Sequence, residues 1–300
     1  MTNPLTFSTA LLLTVAPLMW AGNALVGRLI NPMVPPMTLN LLRWVLAFIF
    51  LLPLAWTVLR PGSGLWQHWR RFTLLSLVSV GAYNSLQYLA LQTSSPINVT
   101  LVAASLPVWM MGIGWFHHGV KVTRTQLLGA VLSIAGVLLV LSRGQWAVLQ
   151  QVQLVSGDIY ILLATLAWAY YSWMLAKPNE PQHIRSNWSA FLLGQIVFGL
   201  VWSALFCAGE WALTDAHIVW SWPVAAALVF IALGPALLAY RAWGAGIARS
   251  SPTMAGFFSN LTPLFAAVLS SVFLGESPQL FHALAFVLIV SGIVVSSRRS

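Results

Sequence analysis

Ten apolar runs, each about as long as a bilayer crossing and each closed by turn residues, dominate this sequence. They fall at roughly 7–30, 37–59, 72–93, 97–117, 125–141, 155–176, 188–208, 222–246, 252–274 and 279–297. A helix that crosses the hydrocarbon core needs about 20 apolar residues. The separators are turn formers: Asn31-Pro32 and Pro35-Pro36, Arg60-Pro61-Gly62-Ser63-Gly64, Ser94-Ser95-Pro96, Ser250-Ser251-Pro252 and Glu276-Ser277-Pro278. With 19 charged residues in 300, the chain cannot build the polar skin of a soluble globule, and it is far too apolar for disorder. The expected fold class is an all-α integral membrane protein with ten transmembrane helices. The loops are too short to hold a soluble domain or an active site, so function is expected between the helices. The N-terminus lacks a basic n-region and its apolar run continues past Trp20 toward Ile30, so it reads as the first spanning helix rather than a signal peptide.

The net charge of +9 would point to nucleic acid in a soluble chain, but in a membrane protein it points to cytoplasmic loops. With the N-terminus in the cytoplasm, Arg60, Arg70, Arg71, Lys121, Arg124, Lys177, Arg185, Arg249, Arg298 and Arg299 fall inside. Arg28, Arg43 and Arg143 then lie on the outer side, with four of the five acids: Asp158, Glu210, Asp215 and Glu276. Both termini are therefore expected in the cytoplasm, and no nucleic-acid partner is expected. The one cysteine, Cys207, excludes an intrachain disulfide and a cysteine metal cluster.

The chain also matches itself. Ser94-Ser95-Pro96 recurs as Ser250-Ser251-Pro252, an offset of 156. The same offset relates Pro107 to Pro263, Gly119 to Gly275, Gly136 to Gly292 and Arg143 to Arg299, while Trp20-Ala21 returns as Trp168-Ala169 at an offset of 148. The expected units are residues 1–146, holding helices 1–5, and 147–300, holding helices 6–10. Five is odd, so the second unit enters the membrane from the opposite side. Two five-helix inverted-topology repeats are a construction of secondary transporters, with two states of similar energy around an interfacial site. A receptor or scaffold gains nothing from inversion. An integral-membrane enzyme or lipid-modifying protein is the rival class.

Several motifs resemble a known family. They are Trp20-Ala-Gly-Asn23 in helix 1, Asn40-Leu-Leu-Arg43-Trp44 in helix 2, the Ser-Ser-Pro turns followed by Pro107 and Pro263, and Leu274-Gly275-Glu276 ending helix 9. On these residues the whole chain resembles a ten-helix member of the drug/metabolite transporter superfamily with two EamA-type halves. The resemblance implies export or uptake of a small metabolite, often an amino acid or related compound, across the bacterial inner membrane. It implies a small-molecule substrate and no cofactor. Proton-coupled small multidrug transporters of similar fold carry a Glu in helix 1, and sugar-phosphate antiporters carry Lys in helix cores. Neither residue stands at such a place here, which disfavours proton-coupled drug efflux.

Polar side chains inside lipid must face protein or a water-filled cavity. Trp20, Asn23 and Gly27 share a face of helix 1, and Tyr83, Asn84, Gln87 and Tyr88 form a stripe on helix 3. Helix 6 offers Thr165, Trp168 and Ser172 with Tyr171 beside them, helix 8 Tyr240, Arg241 and Trp243, and helix 9 Ser259, Asn260 and Thr262. The candidate substrate-binding set is Trp20, Asn23, Arg43, Tyr83, Asn84, Gln87, Tyr88, Trp168, Tyr171, Arg241 and Asn260. Aromatic walls with amide partners suit an amphipathic solute such as an amino acid. For each Asn, Gln, Ser or Thr the alternative is a hydrogen bond between helices. Arg43, about six residues into helix 2, has backbone carbonyls, Asp158 or a substrate carboxylate as candidate partners. Arg241, nearer the inner end of helix 8, has snorkelling to the surface as its alternative. Pro107 and Pro263, mid-helix at matched positions, would free the carbonyls of Ala103 and Ser259 and are the candidate gating residues. Gly129, Ser133 and Gly136 form a small-residue face that would join the halves or a second subunit, so a monomer and a homodimer both stand.

Catalytic chemistry is not written in the sequence. No paired carboxylates or nucleophile–His–acid set is apparent, His117-His118 reads as a solvated turn, and Gly112-Ile-Gly114 reads as helix packing rather than a phosphate loop. Without an ATPase motif, transport would be downhill, exchange or ion-coupled. Any proton coupling would fall to edge groups such as Asp158, Glu276 or His282.

Overall fold

A computed structural model of the chain describes residues 5–30, 33–274 and 279–298. The Asn31-Pro32 turn, Gly275, Glu276, Ser277-Pro278, Arg299 and the Arg28 side chain lie outside what is described. Ten helices among the described residues are long and apolar enough to cross a membrane. They are α1 (Phe7–Gly27), α2 (Pro36–Leu59), α3 (Trp66–Thr93), α4 (Ile97–His118), α5 (Arg124–Leu141), α6 (Ser156–Ala176), α7 (Trp188–Leu213), α8 (Trp222–Arg249), α9 (Pro252–Phe273) and α10 (Leu280–Ser297).

These helices follow the ten apolar runs, with two differences. α3 starts earlier than expected because a 3-10 turn at Trp66–His68 leads into it. α7 extends past 208 because its last turn has a task. The Glu210 carboxylate there accepts the backbone N–H groups of Met37 (2.9 Å) and Thr38 (2.8 Å) and the Thr38 hydroxyl (2.8 Å). First-turn N–H groups have no partner within their own helix, and Pro35, at the N-cap of α2, offers no side-chain acceptor. Ser95 and Ser251 of the two Ser-Ser-Pro turns do the same job locally. Each hydroxyl accepts an N–H three residues on, from Asn98 and Met254, both at 3.1 Å.

Up-and-down alternation gathers the helix ends on two faces. On one, Glu180 pairs with Arg71 (3.2 Å) at the start of α3 and with Arg185 (3.3 Å) ahead of α7. The Thr125 hydroxyl of α5 donates to the Arg298 carbonyl (3.3 Å) past the end of α10 on the same face. The Arg- and Lys-rich loops gather here, so this is the basic face. On the far face, Glu210 joins α7 to α2. Asp158 joins the start of α6 to the α3–α4 turn, accepting from the Ser94 hydroxyl, Asn98 Nδ2 (2.9 Å) and the Val155 N–H (2.9 Å).

Packing follows an exchange of the two halves. α2 lies against α7 and α5 against α10, while α3 on α6 is mirrored by α8 on α1. α5 and α10 approach so closely that a Cβ at Gly129 would stand 2.6 Å from the Gly292 carbonyl oxygen. The Gly129, Ser133 and Gly136 face therefore joins the halves within one chain. Irregularities repeat too. α3 holds a π turn at Leu77–Gly81 and α8 one at Ala232–Leu238, around Pro235. α4 breaks at 104–105 and α9 at 260–261, just ahead of Pro107 and Pro263, which have no N–H to continue the helical ladder.

One contact breaks the exchange. The first half of α9 (Pro252–Ser259) packs on the second half of α4 (Leu106–His118) at the basic face. Gly256 makes this possible, since a Cβ there would lie 2.8 Å from Met110 Sδ and 3.2 Å from Pro107 Cα. The mirror pair at the far face, Pro96–Ala103 with Thr262–Leu274, is not packed in this way among the described residues. From Phe265 to Phe273 no residue is fully buried. Among the described residues, α4 and α9 are in closer contact toward the basic face than toward the far face.

Candidate functional site

The middle of the bundle is aromatic, and Trp168 is its hub. The residue lies just past the midpoint of α6 and is only 1% exposed. Its indole touches five other rings. Ring centroids stand 5.2 Å away for Trp20, 4.7 Å for Tyr83, 5.0 Å for Tyr171, 5.3 Å for Tyr240 and 5.8 Å for Trp243. Trp44 joins through Tyr240 at 5.0 Å, and Trp20 also meets Trp243 at 5.2 Å. The rings come from α1, α2 and α3 in one half and α6 and α8 in the other, so the cluster is the seam between the halves. Edge-on and tilted pairs of this kind each add about 0.5–1.5 kcal/mol beyond burial.

The π turn in α3 supplies the polar counterpart. A π turn displaces the helical hydrogen-bond ladder by a residue and leaves carbonyls free for other donors. The Ser79 carbonyl accepts from the Tyr240 hydroxyl (3.2 Å) and Asn84 Nδ2 (3.4 Å), and the Val80 carbonyl accepts from Asn40 Nδ2 (3.1 Å). Asn40 Nδ2 also reaches Ser203 Oγ (3.3 Å) on α7. On the other side of the hub, Trp243 Nε1 donates to Ser172 Oγ (3.1 Å), which in turn donates to the Trp168 carbonyl (2.8 Å).

Arg43 sits at the edge of this cluster, 1% exposed. Its Nη1 donates to Asn84 Oδ1 (3.0 Å), and the guanidinium carbon lies 5.3 Å from the Trp44 ring centre. Asp158, one partner considered from sequence, is instead held by Ser94, Asn98 and Val155. His282, another edge group, caps the start of α10 by accepting the Gln279 N–H at Nδ1 (2.9 Å).

The expected site residues separate into those brought together and those not. Trp20, Tyr83, Trp168 and Tyr171 belong to the ring cluster, with Arg43 and Asn84 beside it. Asn23, one turn beyond Trp20, is half-buried, and its Oδ1 is buried with no donor among the described residues. Gln87 is half-buried on the far side of Tyr83. Tyr88 lies nearer the far face, against the Ile30, Val34 and Leu39 cluster. Arg241 does not join: it is exposed and stacks on Trp188 at 4.6 Å, since its stem leads out of the bundle to the aromatic residue at the start of α7. Asn260 also lies elsewhere, at the α9 break, where Nδ2 donates to Ser133 Oγ (2.9 Å) on α5. Trp44, Asn40 and the freed Ser79 and Val80 carbonyls were missed as site groups. The spacing of Asn40, Arg43, Trp44, Ala47 and Leu51 on one buried face of α2 was the available signal.

The comparisons agree with this architecture. The model of the EamA-like transporter family matches twice, over residues 7–142 and 155–298. An uncharacterized transporter of Archaeoglobus fulgidus is 26% identical over 97% of this chain and 98% of its own length. The aromatic amino acid exporter YddG of Ancylobacter novellus is 24% identical over 80% of this chain and 78% of its own. A solved crystal structure shares the fold with a TM-score of 0.76 at 22% identity, covering 96% of both chains. With one family unit in each half and ten membrane-length helices, the chain belongs to the EamA-like transporters of the drug/metabolite transporter superfamily, and is a membrane transporter rather than an enzyme.

Proposed function

We propose that the chain is an alternating-access secondary transporter that exports a small amphipathic metabolite, an amino acid or related compound with a flat apolar body, across the bacterial inner membrane. Its two units, residues 1–146 and 147–300, are inverted repeats, and both termini lie in the cytoplasm on the basic face. The observation that carries this reading is the one-sided contact between α4 and α9. Gly256 and Pro107 pack at the basic face while their mirror pair at the far face is not packed in this way among the described residues. Two halves related by exchange have a second state of similar energy, in which the far-face contact forms and the basic-face contact opens. The breaks at Pro107 and Pro263 are the hinges of that exchange. Trp20, Asn23, Arg43, Tyr83, Asn84, Gln87, Tyr88, Trp168 and Tyr171 line the substrate path, while Arg241 and Asn260 serve as surface anchor and hinge tie. The name of the YddG relative supports an aromatic amino acid as one candidate substrate.

Purified protein in proteoliposomes, offered a panel of labelled amino acids, aromatic acids, nucleobases and sugars, is the test. The expected result is saturable flux of at least one aromatic or amphipathic solute, inhibited by its unlabelled form. No flux of any solute by folded protein would overturn the reading.

A further inference from the structure

Resting on the transporter reading above, we infer that the central site holds a carboxylate subsite at Arg43 and that the transported class is a planar aromatic monocarboxylate, recognised without any requirement for an ammonium group. The charge at the site is one-sided. Arg43 is a buried cation whose hydrogen-bond acceptor among the described residues, Asn84 Oδ1, is neutral. Removing a cation from water costs several kcal/mol unless it is paired, so a buried Arg facing only an amide is a place that an anion would stabilise.

The donors near it point the same way. Arg43 Nε, Trp44 Nε1 and Trp168 Nε1 are all buried and have no acceptor among the described residues. They belong to one run of touching side chains. Arg43 lies over Trp44 (5.3 Å), Trp44 meets Tyr240 (5.0 Å), and Tyr240 meets Trp168 (5.3 Å). The Arg43 guanidinium, whose Nε–H has no acceptor among the described residues, matches a carboxylate, and the indole N–H groups of Trp44 and Trp168 are further donors along the same run of side chains. The rings around Trp168 supply flat apolar faces for the rest of the solute.

Recognition of an ammonium by ion pairing would need an acid, and each described acid is engaged or exposed elsewhere, while the buried acceptors without a donor among the described residues, Asn23 Oδ1, Asn40 Oδ1 and Gln195 Oε1, are neutral. Asp158 ties α6 to the α3–α4 turn, Glu180 pairs with Arg71 and Arg185, Glu210 caps α2, and Asp215 is exposed in the α7–α8 loop. No ion pair therefore selects the amino group of an amino acid.

Four probes sharing a phenyl ring separate the possibilities in proteoliposomes: phenylacetate, N-acetylphenylalanine, phenylalanine and phenethylamine. The expected result is that both acids lacking an ammonium move at least as fast as phenylalanine, and phenethylamine is the slowest. Arg43→Gln should cut flux of the three carboxylates about 10- to 100-fold, the loss of charge-assisted hydrogen bonds. Arg43→Lys, which keeps the charge but not the Nε–H or the fork, should recover part of that loss. Competition by each probe on the folded, monodisperse variants shows that the effect is on binding. Phenethylamine flux equal to that of the acids, or equal loss for all four probes in Arg43→Gln, would overturn the carboxylate subsite while leaving the transporter reading intact. No flux of any probe by wild-type protein that still moves other solutes would overturn the aromatic class. No flux of anything would defeat the transporter reading itself.

Discussion

Trp168→Ala is expected to lower the initial rate of transport about 100-fold or more, because one truncation removes the centre from a cluster of five ring contacts. The indole bridges α1 and α3 of one half to α8 of the other, so its loss leaves a cavity at the seam on which the solute and the moving halves both depend. Truncating a buried Trp also costs about 3–5 kcal/mol of stability, so flux must be read on the fraction that stays folded. Trp168→Phe provides the control. It keeps a ring in the stack and loses the Nε1 donor, and a milder drop of about tenfold is expected, consistent with one lost hydrogen bond to the solute. Rates in proteoliposomes, normalised to monodisperse protein, decide the matter. Wild-type flux in Trp168→Ala would remove the cluster from the transport path.

The second large effect concerns the seam between α5 and α10. Gly129→Leu is expected to yield little folded protein. A Cβ at 129 would stand 2.6 Å from the Gly292 carbonyl oxygen and 2.8 Å from Ser296 Cβ, and one at 292 would stand 2.7 Å from the Gly129 carbonyl oxygen. Backbone oxygens cannot step aside as a side-chain tip can, so the two helices must separate along their length. Overpacking of this sort costs about 1–3 kcal/mol even where side chains can adjust, and more where backbone blocks the way. Gly209→Leu on α7, where a Cβ meets nothing within 4 Å, is the matched control. Thermal unfolding followed by size-exclusion recovery should show the first variant aggregating and the second near wild type.

Much of this architecture was legible in the chain because membrane helices leave blunt signals. Apolar length gave the ten crossings, and the Ser-Ser-Pro turns marked helix boundaries, where the structure shows Ser95 and Ser251 each accepting the N–H three residues on. Pro107 and Pro263 gave both breaks, since proline deletes a donor wherever it stands. Trp20 and Trp168 stood out by their repeat relation and do meet. What stayed hidden depends on direction or distant partners. The depth of Arg241 along α8 was readable, but which way its stem leaves the helix was set by Trp188, 53 positions away. Asn260 looked like a site residue until Ser133 on α5 claimed its amide. The π turn at Leu77–Gly81 carries no proline and no local marker, and its freed Ser79 carbonyl is taken by Tyr240 from the other half. The end of α7 was misjudged for a like reason: the cap that extends it belongs to α2.

Alternation between two states can be read most directly from the accessibility of one repeat-related pair. Met110, in the second half of α4 toward the basic face, is fully buried. Its repeat mate Ala266, at the same offset of 156, lies half-exposed in the second half of α9. Met110→Cys and Ala266→Cys, each in a Cys207→Ser background, would be treated with a membrane-impermeant thiol reagent from each side, with and without transported substrate. At rest, Ala266→Cys should react from the far face and Met110→Cys should be protected. Under turnover, Met110→Cys should gain reactivity from the basic face while Ala266→Cys loses it from the far face. Simultaneous gain at both positions, as in a channel, or unchanged reactivity while substrate flows, would contradict alternating access.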